Sequence, residues 1–158
     1  MKKLEKMMQE GINENDLKKV AWALNLGLNI NGVLNDGMPS LHWAVRVGNV
    51  VIAKFLISLG ADVKAKDDSA NTPLAWAVSY GKIELAKLLI SAGADVNIKW
   101  GHYTLLHWAV SYNLLEITKL LIDSGADVKA KGSKGEMILN WARSQKMQDL
   151  LKKHGAIV

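Results

Sequence analysis

One short stretch of sequence recurs four times along the chain with almost no change. LHWAV occupies residues 41–45, LAWAV 74–78, LHWAV again 106–110 and LNWAR 139–143, so the leading leucines are 33, 32 and 33 residues apart. A fixed period of this length is typical of a repeat array, in which one unit cannot bury its apolar face without a neighbour. The chain is therefore predicted to use one supersecondary unit several times.

A second motif keeps the same period and defines the unit. GADVK, GADVN and GADVK begin at Gly60, Gly93 and Gly125, with a degraded GLNIN from Gly27 and a truncated GAIV from Gly155. Between each tryptophan turn and the next of these glycines lies an apolar segment with helical spacing, and the glycine stands where a helix end favours a left-handed residue. Each of the five units is predicted to be two helices followed by a polar hairpin or loop.

The pattern gives approximate bounds for these helices. First helices are predicted near residues 2–10, 38–47, 72–80, 105–112 and 137–144, and second helices near 16–25, 49–59, 82–92, 114–124 and 147–153.

The segment NTPLAWAVSYGKIELAKLLISAGADVNIK, from Asn71, resembles the ankyrin repeat, with its Thr-Pro-Leu-His-x-Ala turn, its glycine between helices and its Gly-Ala-Asp-x-Asn hairpin. The resemblance implies an all-α solenoid of stacked helix-turn-helix units with short connecting β-hairpins. It divides a single domain, 1–158, into an N-terminal capping repeat 1–32, full repeats 33–66, 67–98 and 99–131, and a C-terminal capping repeat 132–158.

Two departures from the family pattern carry structural expectations. Gly93 and Leu106 are 13 residues apart where Gly60 and Leu74 are 14 apart, so the third hairpin should differ in shape. The last unit keeps little more than Leu139, Trp141 and Ala142 of the first-helix motif, as expected of a cap.

The recurring tryptophans lie on the side of the first helix opposite its apolar stripe, since about 100° separates successive residues. The resemblance implies that this side lines a concave groove. Two interpretations of the ladder stay open: each indole packs as structural filler against the next repeat, or the rings form a partly exposed aromatic platform. Its members are Trp43, Trp76, Trp108 and Trp141.

Catalytic chemistry finds little support in the sequence. The chain has no cysteine, and it shows no phosphate-binding glycine loop, HExxH motif or nucleophile elbow. His42 and His107 occupy the family's turn position, where the resemblance implies a structural role, and Asp67 and Asp68 are more typical of a turn than of a metal site. We predict that the protein is not an enzyme and has no cofactor and no metal site.

Binding is the remaining class of function. The resemblance places partner contacts at hairpin tips and exposed first-helix positions, which here are Arg46, Val47, Tyr80, Trp100, His102, Tyr103, Ser111, Tyr112 and Gln145. Because tryptophan, tyrosine and arginine dominate binding energy in protein complexes, we predict a protein-protein interaction module, an adaptor, inhibitor or effector. Tyr80, Trp100, Tyr103 and Tyr112 are expected to form one surface, unless the short hairpin folds Trp100 onto Trp76 or Tyr80 as local packing.

The net charge of +5 leaves an alternative open. Residues 129–158 hold seven basic and two acidic residues, which accounts for all of the excess. This basic C-terminal cap could bind nucleic acid or an acidic surface, although the aromatic residues lie elsewhere, or it could simply be solvated. We predict a cytoplasmic monomer that binds a protein partner, with no small-molecule substrate and no membrane; nucleic-acid binding is kept only as the alternative, and export as an effector stays open.

Overall fold

A computed structural model describes residues 2–34 and 37–157 of the chain. In this part the architecture is all-α, as expected. Its helices are α1 Lys2–Asn13, α2 Leu17–Asn25, α3 Ser40–Val47, α4 Val50–Ser58, α5 Pro73–Ser79, α6 Ile83–Ser91, α7 Leu105–Ser111, α8 Leu115–Asp123 and α9 Gln145–Lys153. The chain divides into two compact units, each of which contains more than one repeat. The first unit ends at Ala94 and the second unit begins at Asp95. The single domain with five repeats stays a prediction.

The first unit consists of three helix pairs, each packed on itself and on its neighbour. Helices α1, α3 and α5 lie side by side, and α2, α4 and α6 pack against them as partners of the respective pairs. The core contains the repeated leucines Leu41 and Leu74 and the second-helix residues Leu56 and Leu89, all of them buried. The repeated apolar positions are therefore the residues that hold the pairs together, as their helical spacing predicts.

Several of these helices have a side chain at the N-cap position that accepts a hydrogen bond from a free backbone N–H of the first turn. The Asn49 carboxamide accepts a hydrogen bond from the Ile52 N–H (3.0 Å) and donates one to the Ile12 carbonyl (2.9 Å), so it also ties two helix pairs together. Thr72 caps α5 through its hydroxyl. Helix α3 has Pro39 at its N-cap position, which gives no side-chain cap, and among the described residues the buried Ser40 hydroxyl has no hydrogen-bond partner.

The second unit contains one helix pair, α7 and α8, and a shorter C-terminal pair. Here the predicted first helix at 137–144 is wrong, because the chain forms only a 3₁₀ turn, Ile138–Trp141. Ala142 is already extended, which lets the Ser144 hydroxyl cap α9 by accepting from the Met147 N–H (3.3 Å). The Gln148 side chain then holds the Ala142 carbonyl at 3.1 Å. Because Ser144 serves as the N-cap of α9, the helical segment before it is short and ends at Trp141.

The hairpin between Gly93 and Leu106, whose segment is one residue shorter than that between Gly60 and Leu74, has a shorter loop than the other hairpins. Three residues separate the hydrogen-bonded pairs Leu34/Met38, Asp67/Asn71 and Gly132/Glu136. In the third hairpin, strand β1 Lys99–Trp100 pairs with β2 Tyr103–Thr104, and only two loop residues remain. The first of them, Gly101, has φ +65°, which matches the type II′ turn preferred by two-residue hairpins. The expected change in shape is confirmed.

No helix among the described residues is both long enough and apolar enough to cross a membrane.

Candidate interaction surface

The first-helix tryptophans are held in place through their indole N–H groups. Trp43 Nε1 donates to Asn13 Oδ1 (3.0 Å), Trp76 Nε1 to Asp67 Oδ2 (2.7 Å) and Trp108 Nε1 to the Trp100 carbonyl (3.1 Å). Buried indole N–H groups generally need such a partner. The hydrogen bonds orient each ring on the same side of its helix, so what differs between repeats is what lies over the ring.

In the first full repeat, a cation covers the tryptophan. The Arg46 guanidinium carbon lies 4.1 Å from the centroid of the Trp43 ring, and the indole itself is only 8% exposed. Arg46 Nη1 also approaches Met38 Sδ at 3.9 Å. Val47, the last residue of α3, is 42% exposed. Trp43 is therefore a packing residue, and the Arg46 side chain lies between its ring and the solvent.

In the next repeat, a tyrosine takes the outer position. The rings of Trp76 and Tyr80 are stacked, with centroids 5.4 Å apart and planes 14° apart, and Tyr80 is 49% exposed. Ser79 donates its hydroxyl to the Trp76 carbonyl (3.0 Å), so the ring over the indole is that of Tyr80. The first unit thus presents an exposed aromatic pair at the end of α5.

Asp67 supports this pair from the hairpin before α5. Its carboxylate accepts hydrogen bonds from the backbone N–H groups of Ser69 and Asn71, both at 2.9 Å, as well as from Trp76. Burial raises the pKa of the Asp67 carboxyl, but the hydrogen bonds from Asn71, Trp76 and Ser69 outweigh burial and hold the pKa below its usual value. The turn role predicted for Asp67 is confirmed, and its anionic contact with an indole was not foreseen.

The second unit carries a larger aromatic cluster. Tyr112 stacks on Trp108 with centroids 6.0 Å apart and is 55% exposed, and Trp100 lies against Trp108 at 5.0 Å. The Ser111 hydroxyl donates to the Trp108 carbonyl (2.9 Å), which repeats the arrangement of Ser79. Trp100 therefore packs locally on the indole of α7, while Tyr112 is the outermost ring of the cluster.

Tyr103 lies deeper than its place at a hairpin suggests. Its ring contacts Trp141 edge-on at 4.6 Å and Trp108 at 6.2 Å, and its hydroxyl accepts a hydrogen bond from Ser133 Oγ (3.2 Å). These contacts join the two hairpins of the second unit. Tyr103 contributes packing here, whereas His102, at the tip of the same hairpin, is exposed.

The remaining candidate, Gln145, lies elsewhere than expected. The last first-helix segment ends at Trp141, so Gln145 is the first residue of α9 and its Nε2 donates to Asp149 Oδ1 (2.8 Å). Of the nine candidates, Arg46, Val47 and Tyr80 belong to the first unit and the other six to the second. The second unit brings Trp100 and Tyr112 onto Trp108; a single surface that includes Tyr80 stays a prediction.

The two turn histidines are buried and structural in their contacts. His42 Nε2 donates to the Asn71 carbonyl (2.9 Å), which ties one repeat to the hairpin of the next. The Thr104 hydroxyl and His107 Nδ1 share a hydrogen bond of 2.8 Å. Burial lowers the pKa of both imidazoles below the usual value, because it disfavours the charged form. In the described part of the chain, no three His, Asp or Glu side chains form a group that could hold a metal ion.

Trp22 is an exposed ring that the sequence analysis passed over. It is 62% exposed and lines a cavity of about 640 Å³ together with four lysines and the acidic residues Glu10 and Asp16. Its equivalents in the second helices of later units, Phe55, Leu88 and Leu120, are half-buried. An alignment of the second helices would have shown that Trp22 occupies this position in the N-terminal repeat, where the structure leaves the side chain exposed.

Helix pairs joined by hairpins, with a tryptophan at the same position of α3, α5 and α7, define a helical repeat protein. A family model described as "Ankyrin repeats (3 copies)" matches residues 10–100 and 65–132. The chain therefore belongs to the ankyrin repeat family, whose members are generally protein-protein interaction modules. A search of curated proteins gave no match.

Proposed function

We propose that this ankyrin repeat protein is a non-enzymatic adaptor, inhibitor or effector that binds a protein partner through the first-helix faces of its repeats. The observation that carries the proposal is the pair of exposed tyrosines, Tyr80 and Tyr112, each stacked on a tryptophan fixed by its N–H group. A rigid ring loses little conformational entropy on binding, which is why aromatic anchors dominate interface energies.

The other candidates take supporting roles in this proposal. Arg46 and Val47 lie on the neighbouring first helix, α3, in the first unit. In the second, Trp100 packs on the same indole as Tyr112, Ser111 precedes Tyr112 on α7 and His102 is exposed at the hairpin tip. Tyr103 acts by fixing the hairpin, since its ring is occupied by Trp141. Gln145 contributes from the start of α9.

Photo-crosslinking tests the proposed surface directly. A photoreactive phenylalanine in place of Tyr112 should capture the partner in the source cell, because this ring is the outermost of the cluster. The same residue in place of Lys119, which is exposed on α8, serves as the control and should capture it poorly. Equal capture from both positions would contradict the first-helix face as the binding surface.

The basic C-terminal cap is the competing surface, and salt dependence separates the two. Binding to phosphates weakens log-linearly with salt, whereas contacts made by tyrosine rings should change little. A monomer in the cytoplasm is the proposed state, supported by the absence of cysteine, which suits a reducing compartment.

A further inference from the structure

The first unit already contains a cation bound to an indole at the first-helix position. Arg46 follows Trp43 by three residues on α3, and its guanidinium carbon lies 4.1 Å from the ring centroid. Three residues is close to one helical turn, so the side chain at this position reaches over the ring without strain. An indole held in this orientation therefore accepts a guanidinium group within the fold.

The next repeat has the same indole without that arginine. Ser79 follows Trp76 by three residues and so takes the place of Arg46, and its hydroxyl is bonded to the Trp76 carbonyl. Tyr80 adds a second ring, stacked on the indole and half-exposed. The aromatic surface is thus larger than that of Trp43, and it faces outward.

The hydrogen bond at the indole nitrogen makes Trp76 the better acceptor for a cation. Its partner is the Asp67 carboxylate at 2.7 Å, whereas Trp43 donates to a neutral carboxamide and Trp108 to a neutral backbone carbonyl. An anion on the N–H pushes electron density into the ring, and a cation is attracted to the negative ring face. The carboxylate also adds a direct electrostatic attraction.

We propose that the Trp76–Tyr80 pair is the subsite for an arginine side chain of the protein partner. The guanidinium would lie against the exposed ring of Tyr80, which covers Trp76 as Arg46 covers Trp43, and Asp67 acts as a positioning residue at the indole N–H. This inference rests on the proposed function and adds the chemistry that the partner must present.

Chemical shifts of the tryptophan indole N–H groups in the full chain provide the test. The probes are N-acetyl-arginine amide and the neutral analogue N-acetyl-citrulline amide, which has nearly the same shape. The arginine probe should shift the Trp76 indole signal at a concentration about threefold lower than citrulline does, the size of effect that an exposed cation–π contact gives. Trp22 is the internal control, because it is an exposed indole with no other aromatic ring stacked on it among the described residues.

Four variants make the assignment specific. Ser79→Arg places a guanidinium at the position equivalent to Arg46, so it should fill the subsite and abolish the response of Trp76 to arginine. Ser111→Arg makes the same change in the second unit and should leave that response intact. Tyr80→Ala should reduce the arginine response about threefold or more, and Asp67→Asn should narrow the difference between arginine and citrulline. Circular dichroism confirms that each variant is folded.

Equal responses to arginine and citrulline, or a Trp22 shift as large as that of Trp76, would overturn the subsite. If that occurs while crosslinking at Tyr112 still captures the partner, the inference fails and the proposed function stands. If arginine is discriminated but the partner is captured equally from Lys119, the proposed function fails instead.

Discussion

At the scale of single residues, backbone geometry and burial set the stability of this protein in ways that composition does not reveal. Ala70 has φ +62°, although it occupies the third loop position that Gly135 takes in an equivalent hairpin with φ +81°. Left-handed conformations disfavour a residue with a Cβ atom. The hairpin before α5 therefore stores backbone strain beside Asp67, the residue that supports the aromatic pair.

Replacing Ala70 by glycine should relieve this strain. Left-handed backbone costs alanine about 1–2 kcal/mol, and the greater freedom of glycine in the unfolded chain offsets about 0.5–1 kcal/mol of the gain. We expect Ala70→Gly to raise the free energy of unfolding by roughly 0.5–1 kcal/mol. Urea melts measure it, with Ser69→Gly as a control that should be neutral or destabilising; destabilisation by Ala70→Gly would refute the strain.

The buried histidines predict how stability depends on pH. Burial lowers the pKa of His42 and His107 in the folded state, so the unfolded chain takes up protons first as the pH falls. The contribution of these neutral imidazoles to the free energy of unfolding is complete above the unfolded pKa of about 6.5. It is lost as the pH falls from there through the folded-state pKa. Urea midpoints should be level from pH 8 to 7 and decline toward pH 5. A midpoint that rises on acidification in this window would contradict the burial of neutral imidazoles.

At the scale of elements, the sequence predicted helices far better than it predicted their ends and connections. The period of leucines and the glycine after each second helix located nine helices in the described chain, and those five glycines have φ between +87° and +94°. The last first helix was misjudged because Ser144 caps α9, and a cap competes with the helix before it. The short hairpin was expected to differ, but its two-residue loop follows from pairing that the sequence does not display.

The third hairpin gives a prediction at this scale. Gly101 has φ +65° and a Cβ atom added there would meet no atom within 4 Å, so any cost of a side chain comes from the backbone alone. Gly101→Ala should lower the free energy of unfolding by about 1–2 kcal/mol. His102→Ala, the exposed neighbour, is the control and should change it by less than about 0.5 kcal/mol. Thermal or urea unfolding that shows no difference between the two would contradict the turn assignment.

At the scale of the whole molecule, stability comes from buried residues that recur in successive repeats, and the proposed function uses positions that the repeat pattern leaves free. The candidate site was predicted in part: Tyr80 and Tyr112 are exposed as expected, while Tyr103 is engaged by Trp141. That difference depends on which rings meet in space. The carboxylate that accepts from the Trp76 indole was not predicted either, since Asp67 and Trp76 are nine positions apart in the sequence.

The distribution of stability can be tested with one buried and one exposed residue. Leu89 is completely buried in the first unit, and Leu89→Ala should cost about 2–5 kcal/mol through lost apolar contact and a residual cavity. Lys152 is exposed on α9, so Lys152→Ala should change stability little. Similar effects in urea melts would contradict the assigned core.

The most direct test of the account is the affinity of the captured partner for Tyr80→Ala and Tyr112→Ala, measured by calorimetry with helical content and melting temperature checked alongside. Truncating a well-packed anchor should weaken binding by about 2 kcal/mol or more, and we expect this for Tyr112→Ala and a loss in the same direction for Tyr80→Ala, both with the fold intact. Binding that is unchanged in both variants, but abolished when Lys146, Lys152 and Lys153 are neutralised, would contradict the account and make the basic C-terminal cap the binding surface.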